Sequence, residues 1–288
     1  MNIAMQTDML AETAANLLAC PKCHTALDTG RGALDCGACG YRAELRDGVV
    51  VARALGGRSY FDDAYRAMQS GNHTPGTWDV FYQDQVALMD GITRDGLVVV
   101  DVGCGPELLY RKNGAFVIGL DASFESVRAN HGADLKIYAT AAEIPLRSAS
   151  VDVVVCFYAV HHMTGQTIAE NGSIVESVFR EFGRILAPGG RLMVFDVSPR
   201  WPFGALEQFA WNAGKRRLGA GLDMYFWERA SIERLAGKVL GAARYVLHSF
   251  RSSPFTRFPP IFTKPSLQLP RMLYPFDVNL YQWTMPRL

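Results

Sequence analysis

The stretch that decides the fold is Leu97-Val-Val-Val-Asp101-Val-Gly103-Cys-Gly105-Pro-Glu-Leu-Leu-Tyr-Arg-Lys-Asn-Gly-Ala-Phe-Val-Ile-Gly-Leu-Asp121-Ala-Ser123. Apart from Asp101, residues 97–102 are apolar and β-branched, the pattern of a strand buried on both faces of a parallel sheet. Gly103 and Gly105 then leave the strand without side chains, so that backbone can lie close to a ligand. A short helix is expected from Glu107. A second apolar run, residues 115–120, ends on Asp121, twenty residues after Asp101. Strand, glycine turn, helix, strand and acid is how a doubly wound sheet holds a nucleoside, with the second acid placed for ribose hydroxyls.

Outward from this core, the alternation continues. A helix is expected over 123–130, a third strand over 135–139, a loop through Thr140-Ala-Ala-Glu-Ile-Pro-Leu and a fourth strand over 153–158. That strand runs into Ala159-Val-His161-His162-Met163. A helix over 173–186 ends at Pro188-Gly-Gly190, a turn that opens a fifth strand over 191–197. Such βαβ alternation demands a parallel sheet with helices on both faces. Further on, helices are expected over 201–221 and 228–238 and strands over 243–250 and 277–285. Between those strands, residues 251–276 carry six prolines among Phe and Arg. Segments 200–227 and 251–276 read as lids, with Arg200, Arg216, Arg251 and Arg257 as candidate anion contacts.

Upstream stands a different device. Cys20-Pro-Lys-Cys23, twelve residues, then Cys36-Gly-Ala-Cys39 is the spacing of two knuckles that hold one tetrahedral Zn²⁺ through four thiolates. Gly30-Arg-Gly reads as the hairpin tip between them. Residues 17–52 are too few to bury a core, so metal would supply most of their folding energy. Four thiolates leave no open coordination position, which makes the metal structural. Gly56-Gly57 reads as a hinge, and residues 58–92 as a helical linker or lid, with helices over 60–69 and 77–91. Their aromatics, among them Tyr60, Tyr65 and Tyr82, are expected to pack on the sheet or line a ligand mouth.

The 288 residues are 49% hydrophobic with a net charge of +1, an ordinary globular balance. Residues 198–288 carry 13 Lys/Arg against 5 Asp/Glu, so an acidic first part is joined to a basic last third. An anionic partner for that third is one reading and an unevenly charged surface the other. No apolar run reaches the length of a membrane span, and the first nineteen residues lack the basic start of a secretory signal. A cytoplasmic, reducing location is expected, where thiols bind metal rather than form disulfides.

Asp101-Val-Gly-Cys-Gly, Asp121-Ala-Ser, Ile144-Pro-Leu, the Asp152 strand running to His161-His162, and Leu186-Ala-Pro-Gly-Gly-Arg together resemble the successive motifs of class I S-adenosylmethionine-dependent methyltransferases. The resemblance covers residues 95–197. It implies an α/β fold with a doubly wound, mostly parallel seven-stranded sheet and an antiparallel C-terminal hairpin, spanning 93–288, behind a small N-terminal zinc ribbon. By that resemblance Gly103 and Gly105 receive the methionyl portion and Asp101 orients their turn. Asp121 accepts the ribose hydroxyls, Ala122 lines the adenine, Thr140 and Ala141 meet its edge, and Phe157 and Tyr158 face the reactive methyl. His161 is the candidate for acid–base or substrate contact, with Tyr158 beside it. Two departures stand out: Pro106-Glu107 replaces the family's third glycine, and Thr140 replaces an acid.

The function that follows is methyl transfer from S-adenosylmethionine to a small, anionic or aromatic metabolite. A zinc ribbon ahead of such a domain also resembles ribosomal RNA guanine methyltransferases, which the near-neutral overall charge disfavours and the basic last third keeps open. A third reading is use of the cofactor's aminocarboxypropyl arm, by transfer or cyclisation. Oligomeric state is not legible.

Overall fold

Four short strands precede the glycine stretch: β1 (Asp28–Thr29), β2 (Ala33–Asp35), β3 (Arg42–Arg46) and β4 (Val49–Val51), followed by α1 (Thr77–Asp90). The stretch itself forms β5 (Val98–Val102) and β6 (Phe116–Asp121). Then come α2 (Phe124–Ala129), β7 (Leu135–Tyr138), β8 (Val151–Phe157), α3 (Ile168–Ile185) and β9 (Leu186–Pro199). The chain closes with α4 (Phe203–Leu218), α5 (Arg229–Leu240), β10 (Arg244–Phe250), β11 (Phe255–Arg257), β12 (Gln268–Pro270) and β13 (Phe276–Thr284). This computed structural model describes residues 16–29, 33–54, 77–219, 222–250, 255–257, 268–270 and 275–287. The expected hairpin tip at 30–32, hinge at 56–57 and helix over 60–69 lie outside the described residues, as does most of the expected lid over 251–276.

The main sheet runs β1-β2-β3-β4-β7-β6-β5-β8-β9-β13-β10. From β7 to β9 all neighbours are parallel, and β13 lies antiparallel between β9 and β10. These seven strands are the doubly wound sheet with its antiparallel hairpin. Period-two alternation buries both faces. Val100, Val102, Ile118, Leu120, Val154 and Cys156 enter a core closed by Val178, Phe179 and Phe182 of α3 and Leu235 of α5. Val99, Val117, Val153, Val155 and Phe195 enter the opposite core, closed by Met89 of α1 and by Tyr110.

Three elements differ from the sequence expectation. No helix follows Glu107: residues 106–114 are turns and bends. Pro106 and the short distance between β5 and β6 leave no room for a helix and its two connections. The segment is instead held by side chains, with Asn130 Nδ2 donating to Gly105 O at 3.1 Å and Arg111 N donating to Asp90 Oδ1 at 2.7 Å. α3 starts five residues earlier than expected, because Thr167 caps it, accepting from Glu170 N at 3.1 Å, and buried Asn171 is tolerated through its bond from Gly165 N. Pro188-Gly-Gly190 is not a turn before β9 but a bulge within it: Val151 pairs with Leu186 and Val153 with Arg191.

The cysteine-bearing segment is joined to the sheet. β4 pairs in parallel with β7, Val49 opposite Lys136 and Val51 opposite Tyr138, so the seven-stranded sheet has no open edge there. All three valines of β4 are buried. A second clamp joins Leu18 to Leu146, with Ala19 N donating to Pro145 O at 3.0 Å and Arg147 N to Leu17 O at 2.8 Å.

Candidate functional site

A cavity of about 560 Å³ opens at the carboxyl ends of β5, β6 and β8, where open α/β sheets bind their ligands. Its floor is the glycine turn. Gly103 has φ +73°, and a Cβ there would lie 2.6 Å from Ala159 Cβ, so no other residue fits. Gly105, at φ +59°, faces open space inside the cavity. Its N–H donates to Asp121 Oδ2 at 2.9 Å, while Ser123 N donates to Asp121 Oδ1 at 2.8 Å. One carboxylate thus ties the glycine turn to the start of α2, which Ser123 caps by accepting from Ser126 N at 3.1 Å. Carboxylate oxygens accept more than one hydrogen bond each, so these bonds are compatible with ribose hydroxyls on the same acid.

Asp101 does not line the cavity; it is buried beneath the turn. Burial pushes its carboxyl up to about 7, the Tyr110 hydroxyl draws it down, and the Asp121 charge raises it further. Ala122, Thr140 and Ala141 line the wall beside Asp121, and Thr140 Oγ1 accepts from Ala142 N at 3.3 Å. Arg53, which the sequence offered no reason to single out, also lines the cavity. It arrives from the end of β4, and a pairing between strands so far apart in sequence leaves no local signal.

The opposite wall holds Phe157, Tyr158, His162, Met163, Thr164, Ile174 and Val178. Phe157 stacks on Phe195 with ring centroids 4.4 Å apart. Tyr158 takes φ +49°, a left-handed conformation strained for an aromatic residue, and its hydroxyl accepts from Gln85 Nε2 at 3.2 Å. The two histidines part company. His162 reaches the cavity, whereas His161 is 2% exposed and sits behind the wall, its Nδ1 2.7 Å from Asp196 Oδ1. Asp196 also accepts from His161 N and Val197 N, which fixes the imidazole rigidly. His162 Nδ1 lies 3.2 Å from Asp223 O. A carbonyl only accepts, so Nδ1 carries the proton and Nε2 is the acceptor. Burial, then the neighbouring His161, holds His162 down at about 3, so it is neutral at ordinary pH.

Of the arginines considered as anion contacts, Arg200 pairs with Asp277, its Nε donating at 2.8 Å, and Arg216 does not line the cavity. Arg251 and the side chain of Arg257 lie outside the described residues.

At the same end of β4, across β3 and β2, the sulfurs of Cys20, Cys23, Cys36 and Cys39 all lie within 4.8 Å of one another. Cys20–Cys39 and Cys23–Cys36 are separated by 3.5 and 3.4 Å. Tetrahedral Zn²⁺ with bonds of about 2.3 Å needs sulfurs about 3.8 Å apart, and the donor set fits it. Cys104 and Cys156 are buried elsewhere and, among the described residues, belong to no such group.

Comparison with known proteins places this geometry. Residues 100–194 match the family model described as a methyltransferase domain. A 27-O-demethylrifamycin SV methyltransferase of Amycolatopsis mediterranei (strain S699) is 34% identical over 116 residues, covering 36% of this chain and 39% of that protein. The chain therefore spans well under half of that relative. Among solved structures, a complex of the Haloferax volcanii Trm112 methyltransferase activator with its methyltransferase superposes with a TM-score of 0.51 at 17% identity, over 81% of this chain and 100% of that one. A Haemonchus contortus phosphoethanolamine N-methyltransferase 2 bound to S-adenosyl-L-methionine gives 0.49 at 14%, over 80% and 61% of the two chains. Among the described residues no helix is long and apolar enough to cross a membrane. With motif order, sheet topology and family match in agreement, residues 100–194 form a class I S-adenosylmethionine-dependent methyltransferase domain.

Proposed function

We propose that the chain transfers the methyl group of S-adenosylmethionine to a small acceptor with an apolar or aromatic face, and that its four cysteines hold a structural Zn²⁺. The observation that carries the reading is the joining of Gly105 N–H to the Asp121 carboxylate at 2.9 Å on the floor of a cavity of about 560 Å³. That volume suits small molecules. When bound, the sulfonium supplies a strong electrophile, and the transfer needs little beyond alignment and proximity.

The chain's own residues do the aligning. Gly105 leaves room for the methionyl end, Asp121 holds the ribose hydroxyls, and Ala122 with Ala141 form the adenine slot. Tyr158 and Phe157 stand at the end of β8, between that slot and the wall of Met163, Ile174 and Val178, which receives the acceptor and keeps water out. His162 offers Nε2 as a hydrogen-bond acceptor for an acceptor hydroxyl or amine. With its conjugate acid near pH 3 it orients a proton rather than removing it. His161 acts at one remove, as the positioning residue that Asp196 locks beneath Tyr225 and His162.

Calorimetry with S-adenosylhomocysteine tests the cofactor site. Binding in the micromolar range is expected, weakened roughly hundredfold by Asp121→Asn, the loss of a hydrogen-bonded charge; no binding to the unsubstituted protein overturns the reading. Mass spectrometry after incubation with a metabolite pool identifies the chemistry. S-adenosylhomocysteine as by-product means methyl transfer, methylthioadenosine means use of the aminocarboxypropyl arm, and label carried on RNA overturns the small-acceptor assignment. Metal analysis returning well under one zinc equivalent refutes the structural ion.

A further inference from the structure

We propose that Arg53, delivered by the cysteine ribbon, is a binding residue for the nucleoside end of the cofactor, and that the metal site governs cofactor affinity through it. This rests on the cofactor reading above.

The geometry begins at the row of strand ends. Val51 of β4 is in register with Tyr138 of β7, and Tyr138 is in register with Asp121 of β6. Two residues past Val51, Arg53 lines the cavity, on the side formed by Asp121, Ala122 and Thr140. Its guanidinium carbon stands 5.5 Å from the centroid of the Tyr138 ring, which holds the planar group over the strand ends. Arg53 is the sole Arg or Lys among the described lining residues, and Asp121 the sole carboxylate. A guanidinium placed there can stack on a purine face or donate to its ring nitrogens, and a lysine cannot do both. The departure at Thr140, a hydroxyl where the resembled family has an acid, leaves that side of the site short of polar contacts. Arg53 supplies one from outside the domain.

A continuous chain of bonds links this arginine to the thiolates. Cys36 N donates to Tyr41 O at 2.8 Å and Gly40 N to Cys36 O at 2.9 Å, which closes the second knuckle. From that knuckle the Tyr41 hydroxyl reaches across and donates to Ala52 O at 2.6 Å. Ala52 N in turn donates to Tyr138 O at 3.0 Å. Ala52 is thus pinned on one side by the ribbon and on the other by the edge of the sheet, and Arg53 is the next residue. A knuckle without metal has four thiols crowded within 4.8 Å and nothing to hold them, so Tyr41 loses its seat and Ala52 one of its two tethers.

The experiment is a cycle of S-adenosylhomocysteine titrations: unsubstituted protein and Arg53→Ala, each zinc-loaded and chelated, with Tyr41→Phe zinc-loaded. Arg53→Ala is expected to weaken binding severalfold to about tenfold, in line with a cation–π or donor contact from a residue that is exposed without ligand. Chelation is expected to weaken the unsubstituted protein by a similar factor and Arg53→Ala by less than twofold. Tyr41→Phe should weaken binding severalfold at full zinc content, since it cuts the link without touching thiolates or ligand. Arg53→Ala binding like the unsubstituted protein overturns the assignment. Chelation weakening both proteins equally, or abolishing binding in both, overturns the route through Arg53. If the unsubstituted zinc-loaded protein binds no S-adenosylhomocysteine, it is the cofactor reading that fails.

Discussion

On one side of the cavity, Val102, Gly103, Gly105 and Asp121 come from a single run of twenty residues. On the other, Tyr158, His162, Met163, Ile174 and Val178 depend on α1 through Gln85, on β9 through Asp196 and on the segment at Asp223. The first wall is backbone shape: a positive-φ turn, a close approach and one acid, each dictated by what can fit. The second is side-chain surface assembled from distant elements, and nothing local constrains which side chains stand there. A scaffold of the first kind can hold one cofactor while the second varies to suit an acceptor. Four substitutions probe how far the two walls are independent.

The largest effect is expected beneath the glycine turn. Asp101 titrates near pH 7 in the fold against an ordinary value of 3.8, so the fold favours its protonated form. Its contribution to stability is complete below pH 3.8, declines as pH rises and is gone above about 7. Asp101→Asn removes that decline. At pH 8, without cofactor, the variant is expected to be more stable by on the order of 3–4 kcal/mol, the gap closing toward pH 4. Denaturant titrations at both values measure it, and a variant less stable at pH 8 contradicts the assignment. Weaker S-adenosylhomocysteine binding should accompany the gain, because a charge under the turn is kept for ligand rather than for stability.

Next come the two glycines, which separate fit from access. Gly103→Ala sets a Cβ 2.6 Å from Ala159 in a left-handed backbone and should cost about 3 kcal/mol of stability. Gly105→Ala meets no atom within 4 Å, so its cost is the backbone's, about 1 kcal/mol. Its methyl stands in the cavity, and it should lose cofactor affinity out of proportion to stability. Equal losses of stability in the two variants would sink this distinction.

The same contrast explains what the sequence disclosed. β5, the two glycines and Asp121 were legible because each is a local necessity: a doubly buried strand, a turn without side chains, an acid at a strand end. The cysteine spacing was legible because two Cys-x-x-Cys pairs predict four converging sulfurs, and the four lie within 4.8 Å of one another. Arg53 was not, since it reaches the cavity only through the pairing of β4 with β7. Asp196 behind His161 was not, since 35 residues separate them and an Asp in a buried strand has no periodic signature. The helix expected after Glu107 failed because the strand–turn–helix–strand pattern called for it where Pro106 and a short connection forbid it.

The smallest effect lies on the second wall. His162 is buried, carries its proton on Nδ1 toward Asp223 O and is held at about 3, so it does not change charge between pH 5 and 8. His162→Gln keeps a donor and an acceptor and should lower kcat/KM only severalfold, with the shape of the pH profile unchanged. A profile measured with the acceptor found by product analysis decides it. If an acid limb present in the unsubstituted protein vanishes in the variant, His162 is removing a proton, and this wall performs chemistry as well as recognition. A preserved limb belongs elsewhere, and Glu207, pushed up to about 7 by burial and accepting from Phe226 N at 2.9 Å, is the group whose substitution should move it.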